Sequence, residues 1–78
     1  MSWNHRVLAH EHKGEIYLMI HEVCYNDDHK PIGYTDRAVG IGGEDLKSIR
    51  WTLKHMRKCL EKPILWAGDK WPKEYKPK

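Results

Sequence analysis

Apolar and polar positions alternate from Trp3 to His10, with Val7, Leu8 and Ala9 set among Asn4, Arg6 and His10, which predicts a first β-strand. His12-Lys13-Gly14 comes next as a turn, because Gly14 is free to take a positive φ. Glu15 to Tyr25 is the strongest strand signal: Ile16, Tyr17, Leu18, Met19 and Ile20 are all apolar, and Val23 and Tyr25 continue at period two. Asn26 to Lys30 is a polar turn, and Pro31 belongs at a strand start, where its missing N–H does least harm. Ile32 to Val39 forms a third strand, at most half buried because of Thr35-Asp36-Arg37. Gly40-Ile41-Gly42-Gly43 is a hinge; without a Gly-Lys-Ser/Thr ending it is no phosphate loop. Beyond it the period changes to that of a helix. Asp45 is the N-cap, Leu46, Ile49, Leu53, Met56 and Leu60 fall within an arc of about 80°, and Pro63 stops the helix near Lys62.

A helix of about 18 residues is roughly 27 Å long, as is a strand of eight or nine residues, so it can lie along the sheet. The expected fold is therefore α+β: a three-stranded antiparallel sheet (βββ), then one long helix packed on one of its faces. The domain spans residues 1–65, and residues 66–78 form an extended, partly flexible C-terminal tail. Two layers leave one face of the sheet open. Yet the second strand is apolar on both sides, with Ile16, Leu18 and Ile20 on one and Tyr17, Met19 and Val23 on the other. Either Ile64-Leu65-Trp66 folds back over the open face, or a second copy covers it. The expectation is a homodimer with Tyr17, Met19 and Val23 as its contact face, or one joined by edge pairing.

Length and charge narrow the classes. A chain of 78 residues is a single small domain, and it buries only about 60–65% of the surface exposed when unfolded. No apolar run approaches the roughly 20 residues of a membrane span, and no secretory signal pattern stands at the start, so no membrane partner is expected. Two cysteines, Cys24 and Cys59, are too few to staple a secreted scaffold, which favours a cytoplasmic location. The net charge of +3 is unevenly spread: residues 1–43 carry four Lys or Arg against six Asp or Glu, and residues 44–78 carry ten against five. Lys47, Arg50, Lys54, Arg57 and Lys58 cluster over about 100° of the helix, with Trp51 at the border beside Lys58. Such a stripe binds nucleic-acid phosphates while Trp51 stacks on a base, or it is a solvated face with Trp51 buried against residues 63–66 or a partner. Trp66, Trp71 and Tyr75 among the tail's lysines pose the same choice between a nucleic-acid arm and a solubilising end.

The order strand–strand–strand–helix, with Gly43, Asp45 and Leu46 at the junction, resembles the HicB-like antitoxin domains, whose junction typically reads Gly-x-Thr/Ser-Leu. The wider pattern is similar to a group of short uncharacterised bacterial proteins: Ser2-Trp3-Asn4, His21-Glu22-Val23, Gly33-Tyr34-Thr35, Trp51-Thr52-Leu53 and Glu61 to Leu65. The resemblance covers roughly residues 3–61 and implies a protein partner by analogy of fold. Such antitoxins commonly add a separate DNA-binding segment after this unit, but here the residues after Lys62 do not have the pattern of a helix-turn-helix.

Catalytic and metal sets are not expected. His10 and His12 share a strand face and His21 sits across from them, but no Cys-x-x-Cys or His-x-x-x-His spacing exists. Cys24 points away from His21 if the strand is regular, Cys59 takes the place of a small core residue, and Glu15, Glu22 and Asp36 are not brought together by any local pattern. A pocket gathering His10, His21 and Glu22 would be needed to revive an enzyme. The reading is thus a non-enzymatic module without cofactor, working through protein–protein contact or self-association; the alternative is nucleic-acid binding by the helix face and tail.

Overall fold

Ser2–His12 (β1) and Glu15–Tyr25 (β2) form a long antiparallel hairpin, in register from Ser2↔Tyr25 to His12↔Glu15. Lys13 and Gly14 close it with φ of 51° and 81°. Two successive positive φ values make a type I′ turn, whose twist matches that of the strands it joins. The computed structural model describes residues 2–77, so Met1 and Lys78, the outer ends of the expected domain and tail, lie outside the described residues.

Pro31–Tyr34 (β3) pairs antiparallel with β2 across a bulge at Cys24/Tyr25. Regular pairing ends sooner than the expected Val39, but the chain continues along β2: the Thr35 and Val39 N–H groups donate to the carbonyls of Glu22 and Ile20.

The expectation of three antiparallel strands is corrected. The sheet has five strands in the order β3-β2-β1-β4-β5 and is mixed. Ile64–Trp66 (β4) runs parallel to β1, pairing Leu65 with Leu8 and Trp66 with Ala9. Glu74–Tyr75 (β5) returns antiparallel beside β4. Residues 66–77 are therefore not simply a tail, because they supply the end of one strand and all of another. The physical reason lies in Val7-Leu8-Ala9, three buried residues in succession. A strand covered on both faces and paired on both edges reads as a continuous apolar run, whereas a half-exposed edge alternates.

The helix differs too. Leu46–Arg57 (α1) begins at Asp45, whose carboxylate accepts the Ser48 N–H at 2.8 Å, and a 3₁₀ turn over Lys58–Glu61 ends it before Pro63. It does not lie along the sheet. Met56 and Cys59 are buried against the β1 side, while Leu46, Leu53 and Leu60 of the apolar stripe are 47–69% exposed. Only two residues, Lys62 and Pro63, separate the 3₁₀ turn from β4, so docking β4 on β1 fixes the helix by its last turns alone. Arg6 ties the same connection, its Nη2 donating to the Pro63 carbonyl at 2.7 Å.

The core is correspondingly thin. Leu8, Val23 and Leu65 form its centre, with Tyr25, Tyr34, Ala67 and Trp71 packed around them. The chain exposes 6262 Å² for 9.3 kDa, whereas a compact monomer of that mass exposes about 5,000 Å². Its radius of gyration of 13.2 Å likewise exceeds the roughly 11.5 Å of a compact domain this long. Replacing Lys13 by Asn, which type I′ turns prefer, should relieve the left-handed lysine and raise the melting temperature by about 2–4 °C, roughly half a kcal/mol here. A lowered midpoint in thermal denaturation would contradict this turn geometry.

Candidate functional site

Three surfaces gather the residues singled out from the sequence. The first is the outer edge of β2. Because the Ile20 and Glu22 carbonyls face β3, the alternation of an antiparallel strand turns the N–H and C=O of Ile16 and Leu18 to the same side. No described strand pairs with them there. Ile16, Tyr17, Leu18 and Met19 are each 38–50% exposed, two on either face of the sheet. Tyr17 and Met19 are exposed on one of these faces. Val23 is not: it is completely buried beneath this chain's own cover, with Tyr34 opposite it and Trp71 packed on the same cluster, and is corrected to a core residue.

The second surface surrounds a histidine pair. His21 is buried, and its Nδ1–H donates to the Thr35 carbonyl at 2.9 Å, since a carbonyl can only accept. In the neutral ring Nε2 then carries the lone pair and accepts from His10 Nε2–H at 2.9 Å. Both nitrogens of His21 are thereby engaged within the chain. The His10 ring lies flat on Tyr17, with centroids 5.0 Å apart. Burial, and then the neighbouring His21, hold the His10 pKa below the ordinary histidine value. Beside the pair a concavity of about 560 Å³ is lined by His10, Glu11, Tyr34, Asp36 and Trp71. Glu22 is not part of it, because Glu22 pairs with His5 on the opposite face. Cys24, opposite Trp3, is likewise on the other side from His21. Among the described residues no three His, Cys, Asp or Glu side chains converge as metal ligands. Burial raises the Cys59 thiol pKa, against the opposing influence of Arg6, which leaves it a poor nucleophile.

The third surface is the basic side of α1. Lys47, Arg50, Trp51, Lys54, Arg57 and Lys58 are all exposed, and the Trp51 ring stacks on His55 at 3.8 Å. Trp51 is not buried by residues 63–66. It forms one wall of a cleft of about 280 Å³, with Trp3 and His5 of β1 on the sheet side and Lys58 and Lys62 at its margin. Trp3, His5 and Lys62 were not legible as partners of Trp51; only the docking of β4 brings the helix end to the start of β1. The aromatic residues of the C-terminal segment are used internally. Trp66 meets Tyr75 edge-on and carries the Lys70 ammonium over its ring at 4.2 Å, while Trp71 packs on Tyr34.

No family model, curated protein or solved structure matches the chain. Among the described residues no helix is long and apolar enough to cross a membrane.

The histidine pair makes stability depend on pH. His10 takes up a proton less readily in the fold than in the unfolded chain, so its contribution is complete above the ordinary pKa of 6.5 and is lost as pH falls from there towards the lower folded value. Melting temperatures measured from about pH 7.5 down to 5 should therefore drop, and His10→Gln should flatten the curve. An unchanged slope in the variant would exclude this role for His10.

Proposed function

We propose that this chain is a non-enzymatic, cytoplasmic interaction module that acts as a homodimer, joined edge to edge through β2. The observation that carries it is the unpaired stretch Ile16–Met19, apolar on both faces and presenting free backbone groups outward. Such an edge in a soluble protein is ordinarily blunted by charge, proline or a covering element, and here Ile16 to Met19 carry none of these. The surface surplus of roughly 1,300 Å² over a compact monomer exceeds the approximately 800 Å² each partner contributes to a standard interface.

A second copy fits the edge better than an unrelated strand, because antiparallel pairing about a two-fold axis is self-complementary. With the axis at Tyr17, Ile16 of one copy lies opposite Leu18 of the other, twice over, and each such pair exchanges two backbone hydrogen bonds. Tyr17 then faces Tyr17 across a close, non-hydrogen-bonded position, and the two sheets become one. Two thiol cysteines in the free state accord with a reducing compartment.

Light scattering at high micromolar concentration should give a dimer, and Ile16→Lys with Leu18→Lys should give a folded monomer by circular dichroism. In a Cys24→Ser background, Tyr17→Cys should cross-link under mild oxidation, since non-hydrogen-bonded pairs bring Cα atoms to about 4.5 Å. A wild-type monomer, or a dimer indifferent to the double lysine variant, would sink this reading.

A further inference from the structure

We infer that the cleft between Trp3 and Trp51 is a binding slot for single-stranded nucleic acid, in which a base stacks on the indoles and the backbone follows the lysines of α1. It goes beyond the edge-to-edge dimer and does not depend on it. Trp3 lies opposite Cys24, seven positions along β2 from Tyr17, or roughly 23 Å at strand spacing, so edge and cleft can be occupied together.

Three observations converge. Trp3 and Trp51 are each more than half exposed although they belong to regular elements, and each is braced by a ring: Trp51 flat on His55, Trp3 edge-on to His5 at 5.4 Å. An isolated exposed tryptophan needs no explanation, but two held in place on facing walls of one cleft form a stacking platform. At about 280 Å³ the space falls just below the roughly 300 Å³ at which pockets for drug-sized ligands begin, so it takes one ring system rather than a folded peptide. Charge selects the ligand further. Lys58 and Lys62 line the cleft with no carboxylate among its walls, whereas the larger concavity beside His10 carries Glu11 and Asp36 and repels phosphate. On the helix, Lys47, Trp51, Lys54 and Lys58 fall within about 60° of arc, placing an ammonium one turn to either side of the indole. Stacking on an indole is open to every base, so the slot tolerates different bases. A duplex has its bases already stacked and paired, and presents none to the indoles.

Fluorescence anisotropy on the full chain, with labelled ten-nucleotide oligoadenylate as RNA and as DNA, tests the slot. Both single strands should bind with log K falling against log salt at a slope of about −2 to −3, as three or four neutralised phosphates require. Trp51→Leu and Trp3→Leu should each weaken binding about fivefold or more with little change in slope, and Lys58→Glu with Lys62→Glu should lower both affinity and slope. Circular dichroism of each variant establishes that the fold persists. Several outcomes would overturn the proposal: absence of salt-sensitive binding, a ten-base-pair duplex bound as tightly as the single strand, AMP alone bound as tightly as the ten-mer, or tryptophan variants indistinguishable from wild type. The last would leave only a charged patch. The Ile16→Lys, Leu18→Lys monomer should still bind the strand, which separates failure of the cleft from failure of the dimer.

Discussion

Every long-range feature of this fold depends on β1 being paired along both of its edges. On one side it holds β2 over its whole length; on the other it accepts β4 at Leu8 and Ala9, and the Ala67 N–H donates to the Ala9 carbonyl at 2.9 Å. Leu8 and Ala9 are completely buried as a result. Because β4 follows the helix by so short a connection, this single parallel contact also decides where the helix ends. It sets the last turns of α1 against the beginning of β1 and leaves the rest of the rod without a sheet beneath it. A free parallel edge of two residue pairs is weak in isolation, so β4 is held from several directions: by Leu65 in the core, by β5 beyond it and by the Arg6 clamp on Pro63.

The parts of the fold that local pattern specifies are legible in the sequence. The hairpin arises from apolar runs on either side of His12-Lys13-Gly14, the N-cap from Asp45 ahead of a helical period, and the helix end from Pro63. These are short-range effects, each settled within a few residues. The remainder is not legible, for identifiable reasons. Ile64-Leu65-Trp66 is too short to display a period, and Glu74-Tyr75 lies in a segment of lysines and prolines whose composition favours a tail. Their strand character comes from the free edge of β1, which is a property of the assembled sheet. The stripe from Leu46 to Leu60 shows that this helix has an apolar face, but a periodicity cannot say whether the same chain supplies the cover. The site residues divide in the same way. Trp51 and the lysines around it lie on one element and are visible as a stripe, whereas Trp3 and His5 join them only through the topology.

Burial is concentrated at the middle of the sheet, and the two ends of the hairpin are left with opposite characters. The end near Trp3 and Cys24 meets the basic helix and is aromatic and cationic; the stretch Ile16–Met19 near the other end carries no charged side chain, though Glu11, Lys13 and Glu15 stand beside it. A small chain that satisfied its core first would distribute leftover apolar side chains singly over the surface. Here they lie in sequence along one open edge and in a row along one helix, which is the distribution expected where a partner completes the burial.

The histidine pair fits this division. A buried imidazole is tolerable in a thin core only if its nitrogens are engaged, and His21 meets that condition through Thr35 and His10. Burial, and then the neighbouring His21, lower the His10 pKa, so the ring bonded to His21 is neutral near pH 7. Since His10 also lies flat against Tyr17, its lowered pKa keeps charge away from the inner side of the open edge. A lysine at position 10 would place a cation beneath Tyr17 and bring charge to a stretch whose residues Ile16, Leu18 and Met19 have none. The same two rings therefore serve both the core, by occupying its polar corner without an unpaired nitrogen on His21, and the edge, by leaving it free of charge for another strand.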